Sequence, residues 1–381
     1  MTSNSIEPFR IDISQEDLDD LRDRLTRTRW PADIADAGWS RGVPVGYLQR
    51  LAEYWGTTFD WRAQEARLNA FPQFTTDIDG QNIHFVHVRS PEPGALPLLL
   101  THGWPGSFVE FAEIIEPLTD PARHGGDPAD AVHVIAPSIP GFAFSGPTQE
   151  EGWNVERIAA AWAELMSRLG YERYAVQGGD FGVSISRALC LADRDRIVAI
   201  HVNGGFTLPF DVPAEEVASL PERDQERFAY LYGYDTGYVA IQAAKPQTVA
   251  YGLTDSPVGQ LAWIVEKFRE WTDPAKLLPE DAVEIDQLLA NVSVYWFTGT
   301  AGSAAQLYRE ASADWGGEPE VLEVPAGVAL FGSRDVALRQ VDEKANNIVH
   351  WSDYDRGGHF AAMEAPDLLV SDIRTFLRQY R

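Results

Sequence analysis

The sequence predicts an α/β protein: a mostly parallel sheet flanked by helices, interrupted by a helical insertion and preceded by a helical meander. Three observations predict it. From Ile83 onward, short apolar runs alternate with helical stretches, as strand–helix–strand units do. After about Gly205 the strand signals lapse into a long run rich in Trp, Tyr and Gln, and they return at Val324. Before Ile83, apolar residues recur at helical spacing instead.

Taken in order, Ser14 is placed to cap a first helix, with Glu16 and Asp17 in its first turn and Leu18, Leu21 and Leu25 on one face. Trp30-Pro31 ends it. Helical spacing resumes over 47–55 and 61–68. Strands are expected over 83–88, 96–101, 132–137, 174–178 and 197–202, with helices over 108–118, 155–169 and 183–191 between them. Strand signals return at 324–331 and 348–351, before a last helix over 366–380. The expected units are a meander (1–80), a first part of the sheet domain (81–205), a helical cap (206–318) and a second part of the sheet domain (319–381). A cap inserted there commonly roofs a pocket at the carboxyl edge of the sheet.

Composition narrows the function. The 381 residues carry 57 acidic against 31 basic side chains, a net charge of -26, which repels phosphate backbones and anionic lipid alike. One cysteine, Cys190, excludes an internal disulfide framework and any multi-cysteine zinc site. His84 and His87 lie three apart on an expected strand, hence on opposite faces, and read as structural. No glycine-rich phosphate loop precedes a lysine, so nucleotide binding has no support. No run reaches about 18 apolar residues and the first residues lack a signal peptide's regions. A soluble, cytoplasmic protein is expected.

The chemistry concentrates at Gly178-Gly179-Asp180-Phe181-Gly182, where a strand turns sharply into a helix. Glycines flank the central residue because the turn brings backbones too close for side chains. An Asp there could simply cap the helix. Other features argue for more. His102-Gly103-Trp104-Pro105 follows a strand where such sheets supply an oxyanion-hole amide, so the Trp104 and Phe181 N–H groups form a candidate pair. Downstream stand Asp335 after a strand and His359 after two glycines, giving the order nucleophile, acid, histidine found in α/β-hydrolases.

An aspartate nucleophile restricts the reaction. Attack by a carboxylate on a saturated carbon gives an ester, which water can cleave; attack by serine would give an ether. His359 would activate that water, and Asp335 would orient the imidazole. If the leaving atom is an epoxide oxygen it needs a proton donor, and the insertion offers Tyr238 and Tyr308. If it is a halide, weak N–H donors are needed instead.

The ordered set Arg10-Ile11 through Trp30-Pro31, His102-Gly103-Trp104-Pro105, Gly178 to Gly182, Asp255-Ser256-Pro257-Val258-Gly259, Tyr295 to Thr300 and Arg356-Gly357-Gly358-His359-Phe360 resembles the microsomal-type epoxide hydrolases over nearly the whole chain. The resemblance implies an α/β-hydrolase core with an N-terminal meander and helical cap, hydrating epoxides to vicinal diols without a cofactor or metal. It matches Asp180 to the nucleophile, His359 to the base, and Tyr238 and Tyr308 to the cap tyrosines. Phe181 stands where relatives usually have Trp. Asp335 falls one residue later than usual, with Asp353 and Asp355 as alternative acids. Membrane-bound relatives carry an anchor before the meander, and none is expected here. The expected partners are water and a small apolar or aromatic epoxide, in detoxification or secondary metabolism. No nucleic acid is expected, and a homodimer is left open. The rival readings are a haloalkane dehalogenase and a non-catalytic small-molecule binding protein on the same fold.

Overall fold

The computed structural model describes residues 5–207, 212–233, 235–312, 320–332 and 336–381. Among the described residues nine strands form one sheet: β1 (Glu7–Phe9), β2 (Gln73–Ile78), β3 (Gln81–Val88), β4 (Leu96–Thr101), β5 (Val132–Pro137), β6 (Tyr174–Gly179), β7 (Ile197–Asn203), β8 (Leu322–Phe331) and β9 (Asn346–Tyr354). Their order is β1-β2-β3-β5-β4-β6-β7-β8-β9. From β5 through β9 every neighbouring pair is parallel, while β1, β2 and β3 form an antiparallel edge that joins β5. The fold is the α/β-hydrolase sheet, mostly parallel and covered by helices.

The central strands explain why the apolar runs read so clearly. In β4 all six residues are buried, because a parallel strand under helices on both faces has no solvent side. Helix Val155–Arg168, capped by the Asn154 side chain, turns Ile158, Ala159, Trp162, Leu165 and Met166 inward. Each large apolar side chain buried this way stabilises the fold by about 1.5–3 kcal/mol. Ser14 caps helix Gln15–Thr26 by accepting from the Asp17 N–H, and Leu18, Leu21 and Leu25 are the buried face.

The segment before β3 also contributes to the sheet. β1 and β2 lie inside the stretch 1–80 expected as a meander, where no strand is expected, and Phe9 pairs with Gln73 across more than sixty residues of chain. Helix Val45–Thr57 packs instead against helix Ile285–Thr298 of the insertion. Trp55 donates to Ser293 Oγ at 2.9 Å, Tyr54 to Asp286 at 2.9 Å and Tyr47 to Glu280 at 2.7 Å. The N-terminal helices therefore brace the insertion.

His84 and His87 are structural. His84 bridges Ser138 and Gln73, His87 meets the Tyr171 hydroxyl, and burial lowers their pKa values to about 3 and about 4. Cys190 is buried and its thiol is pushed above the ordinary range by that burial. Among the described residues no helix is long and apolar enough to cross a membrane.

Candidate active site

Asp180 sits between β6 and helix Phe181–Ala192 with φ 54° and ψ -127°. A non-glycine residue in that region is strained by about 1–3 kcal/mol. Asp180 makes no side-chain hydrogen bond to the helix it precedes, so it is not a simple cap. The sharp bend needs its glycines: a Cβ on Gly182 would lie 2.0 Å from Thr101 O, and one on Gly103 would lie 2.3 Å from the Asp180 Cβ. The carboxylate is thus carried up to the carboxyl edge of the sheet, at the loop that follows β4.

On that loop the Trp104 N–H donates to Asp180 Oδ1 at 3.0 Å. The loop is held from two sides. His102 Nε2 accepts from the Ile139 N–H at 3.2 Å and its Nδ1 meets Gly103 O at 3.0 Å, which leaves it committed and neutral, with burial lowering its pKa to about 4. From the insertion, Asn291 donates to Pro105 O at 2.8 Å and Tyr295 to Gly106 O at 2.6 Å. The meander braces the helix that bears these two residues, so the N-terminal segment is coupled to the position of the Trp104 amide.

His359 lies on the other side of the carboxylate, with Nε2 3.6 Å from Asp180 Oδ2. Burial lowers its pKa and the Asp180 charge opposes this, so the imidazole is held in the neutral form a base requires. Its backbone is pinned: His359 N–H donates to Trp271 O at 2.9 Å, and Gly357 N–H donates to Asp273 Oδ2 at 3.2 Å. Glu364 closes the clasp by accepting from Asp273 N–H at 2.7 Å and Phe360 N–H at 3.0 Å. These contacts fasten the histidine loop to the end of the insertion helix Pro257–Trp271.

Against the Trp104 and Phe181 rings the insertion contributes an aromatic cluster. Tyr238 stacks on Trp104 with ring centroids 5.3 Å apart, Tyr308 meets Trp104 edge-on at 5.5 Å and Phe181 at 4.8 Å, and the two phenol rings are 5.7 Å apart. Trp271 joins Tyr238 to His359, at 5.4 and 4.9 Å. The buried Lys267 ammonium lies 4.7 Å over the Tyr238 ring, paired with Glu266 and Glu270, a favourable cation–π position.

The structure therefore brings together Asp180, His359, Trp104, Phe181, Tyr238 and Tyr308 from five separate parts of the chain. Asp335 lies outside the described residues. Of the alternative acids, Asp353 is taken up by a two-pronged pair with Arg227, at 2.7 and 2.9 Å, and Asp355 is exposed. Sequence reasoning passed over Glu110, Asn203 and the Asp273–Glu364 clasp. Glu110 and Asn203 line a cavity of about 10 Å³ with Asp180 and His359, and the Glu110 carboxyl is pushed up to about 8, chiefly by burial and then by the Asp180 charge. The acid within the apolar stretch Phe108-Val109-Glu110-Phe111 was the available signal.

Comparison with known proteins gives the same picture. The sequence model described as "Epoxide hydrolase N terminus" matches residues 6–111, and that described as "alpha/beta hydrolase fold" matches residues 97–366. A Stigmatella aurantiaca protein assigned to the epoxide hydrolases is 45% identical over 379 residues, covering 99% of this chain and 86% of its own. Pig (Sus scrofa) epoxide hydrolase 1 is 37% identical, covering 98% of this chain and 88% of its own. The solved structure of Aspergillus niger epoxide hydrolase superposes with a TM-score of 0.85 at 33% identity, covering 99% of this chain and 97% of its own. Similarity of this extent spans the N-terminal segment, the sheet and the insertion alike, and the chain belongs to the epoxide hydrolase family of hydrolases.

Proposed function

We propose that the protein hydrates an epoxide to a vicinal diol through an alkyl ester formed on Asp180. The observation that carries this reading is a carboxylate, rather than a hydroxyl, at the strained bend, with an amide donor on one oxygen and a neutral imidazole beside the other.

In the first step Asp180 Oδ2 attacks a ring carbon. The ring C–O bond breaks, its electron pair goes to the oxygen, and a phenolic proton from Tyr238 or Tyr308 neutralises the alkoxide. In the second step His359 takes a proton from water and the hydroxide adds to the Asp180 Cγ. The resulting oxyanion, at the former Oδ1, is held by the Trp104 and Phe181 N–H groups, each worth about 3 kcal/mol. Collapse expels the diol oxygen, which takes the imidazolium proton. The acid left on Asp180 then returns the second proton to the phenolate. We assign to Asp335 the orientation of the imidazole. The aromatic rings clustered on Trp104 and Phe181 favour a small apolar or aromatic epoxide, and the acidic surface disfavours anionic ones.

Epoxides and haloalkanes of matched size separate this reading from dehalogenation. Styrene-type, aliphatic and polycyclic epoxides are expected to give diols, read by chiral chromatography, with no halide released from bromo- or chloroalkanes. Halide release without diol formation would assign the site to dehalogenation, and an inert site that merely binds both would assign it to ligand binding.

A further inference from the structure

We infer that Glu110 holds the hydrolytic water jointly with His359, as the second acceptor of its two hydrogens. This rests on the ester mechanism above and extends it to the water.

The cavity between Asp180 and His359 has a volume of about 10 Å³, room for about one water. A water placed to attack Asp180 Cγ must give one hydrogen to His359 and direct the other to a second acceptor. The polar groups around it are few. His102 is committed through both ring nitrogens, and the Asn203 carbonyl already accepts from Gln177 at 2.7 Å, which leaves that amide as a donor. Asp180 itself is an ester at this stage. Thr101 brings a hydroxyl, whereas Glu110 brings a carboxyl, the stronger acceptor.

The neighbouring backbone makes room for that carboxyl. A Cβ on Gly106 would fall 1.3 Å from Glu110 Oε1, and the Gly106 backbone is not left-handed. The missing side chain is therefore accounted for by the carboxyl and not by the turn. Gly106 is also fixed in place, since its carbonyl accepts from Tyr295 at 2.6 Å.

Charge changes during the cycle favour the same role. Asp180, His359, His102 and Tyr295 are the titratable groups that face Glu110 from the elements around it. Burial, and then the charge on Asp180, make the Glu110 carboxyl reluctant to ionise, against a backbone hydrogen bond from Ser107. Esterification removes the Asp180 charge. Glu110 then ionises more readily in the ester than in the free enzyme, at the stage when an acceptor is needed and an imidazolium forms beside it.

The test is rapid mixing with excess styrene oxide, acid quench at set times and mass measurement of the intact protein, for wild type, Glu110→Gln and Glu110→Ala. Ring opening is expected to stay within about threefold of wild type. Ester hydrolysis is expected to slow about 10-fold in the isosteric Gln variant and about 100-fold in the Ala variant, so that the adduct accumulates in graded order. Equal slowing of both steps in both variants would mark a merely structural role and overturn the inference, as would hydrolysis unchanged within twofold. Absence of any Asp180 adduct in wild type and in His359→Gln would overturn the ester mechanism together with it.

Discussion

His359→Gln is expected to open the epoxide once and then stall. Turnover should fall by about 10³- to 10⁴-fold, while a single substrate mass appears on the protein within the mixing time and maps to the peptide bearing Asp180. The asymmetry follows from position: Nε2 is 3.6 Å from Asp180 Oδ2, so it reaches the water that attacks the ester but contributes no atom to ring opening. The pH dependence has a definite sign. Burial lowers the His359 pKa, so the neutral base persists as pH falls through the ordinary value near about 6.5. Esterification removes the Asp180 charge that raises the His359 pKa, so the imidazolium is disfavoured further in the ester. The acid limb of ester hydrolysis in wild type is therefore expected below about pH 6.5 in single-turnover measurements, and a limb above that value would contradict the assignment.

Removing both cap phenols is expected to produce the opposite defect. Tyr238→Phe and Tyr308→Phe should each slow ring opening by about 10²-fold, the cost of one donor to a developing oxyanion. The double variant should lose more than either single but less than their product, because one phenol partly substitutes for the other. Ester hydrolysis should change little, so the burst of bound adduct disappears instead of growing. Phe preserves the ring contacts with Trp104 and Phe181, which makes stopped-flow tryptophan fluorescence and thermal melting the controls for an intact cluster.

The parts of the fold legible in the sequence are those dictated by local pattern or full burial. β4 and β5 were read to the residue because both are all or nearly all buried, and helix Trp61–Leu68 is bounded by an Asp60 cap. β1 and β2 escaped because a three-residue edge strand and the sequence Gln-Phe-Thr-Thr-Asp-Ile carry little apolar signal, and their pairing is set by contacts distant in sequence. The stretch read as one helix from Phe108 splits into a 3-10 turn, Phe108–Glu113, and a short helix, Ile115–Thr119, where the Ser107 side chain is drawn to Asn291 of the insertion.

The candidate site divides the same way. Asp180, His359 and the Trp104 loop are marked by glycines that close backbone approach demands, so they stand out in one dimension. Glu110 and the Asp273–Glu364 clasp depend on pieces of chain that meet only after folding, 91 residues apart in the clasp. No local spacing announces the clasp, and Glu110 offers only its place as an acid within the apolar stretch Phe108 to Phe111.

The central claim is that Asp180 supplies the oxygen placed on the substrate carbon. It is tested most directly by one turnover of excess enzyme with a racemic aryl epoxide in oxygen-18 water. The diol released should carry no label at the attacked carbon, and one labelled oxygen should appear in the peptide containing Asp180. Diol labelled in that first turnover, with an unlabelled Asp180 peptide, would show that water attacks the epoxide directly.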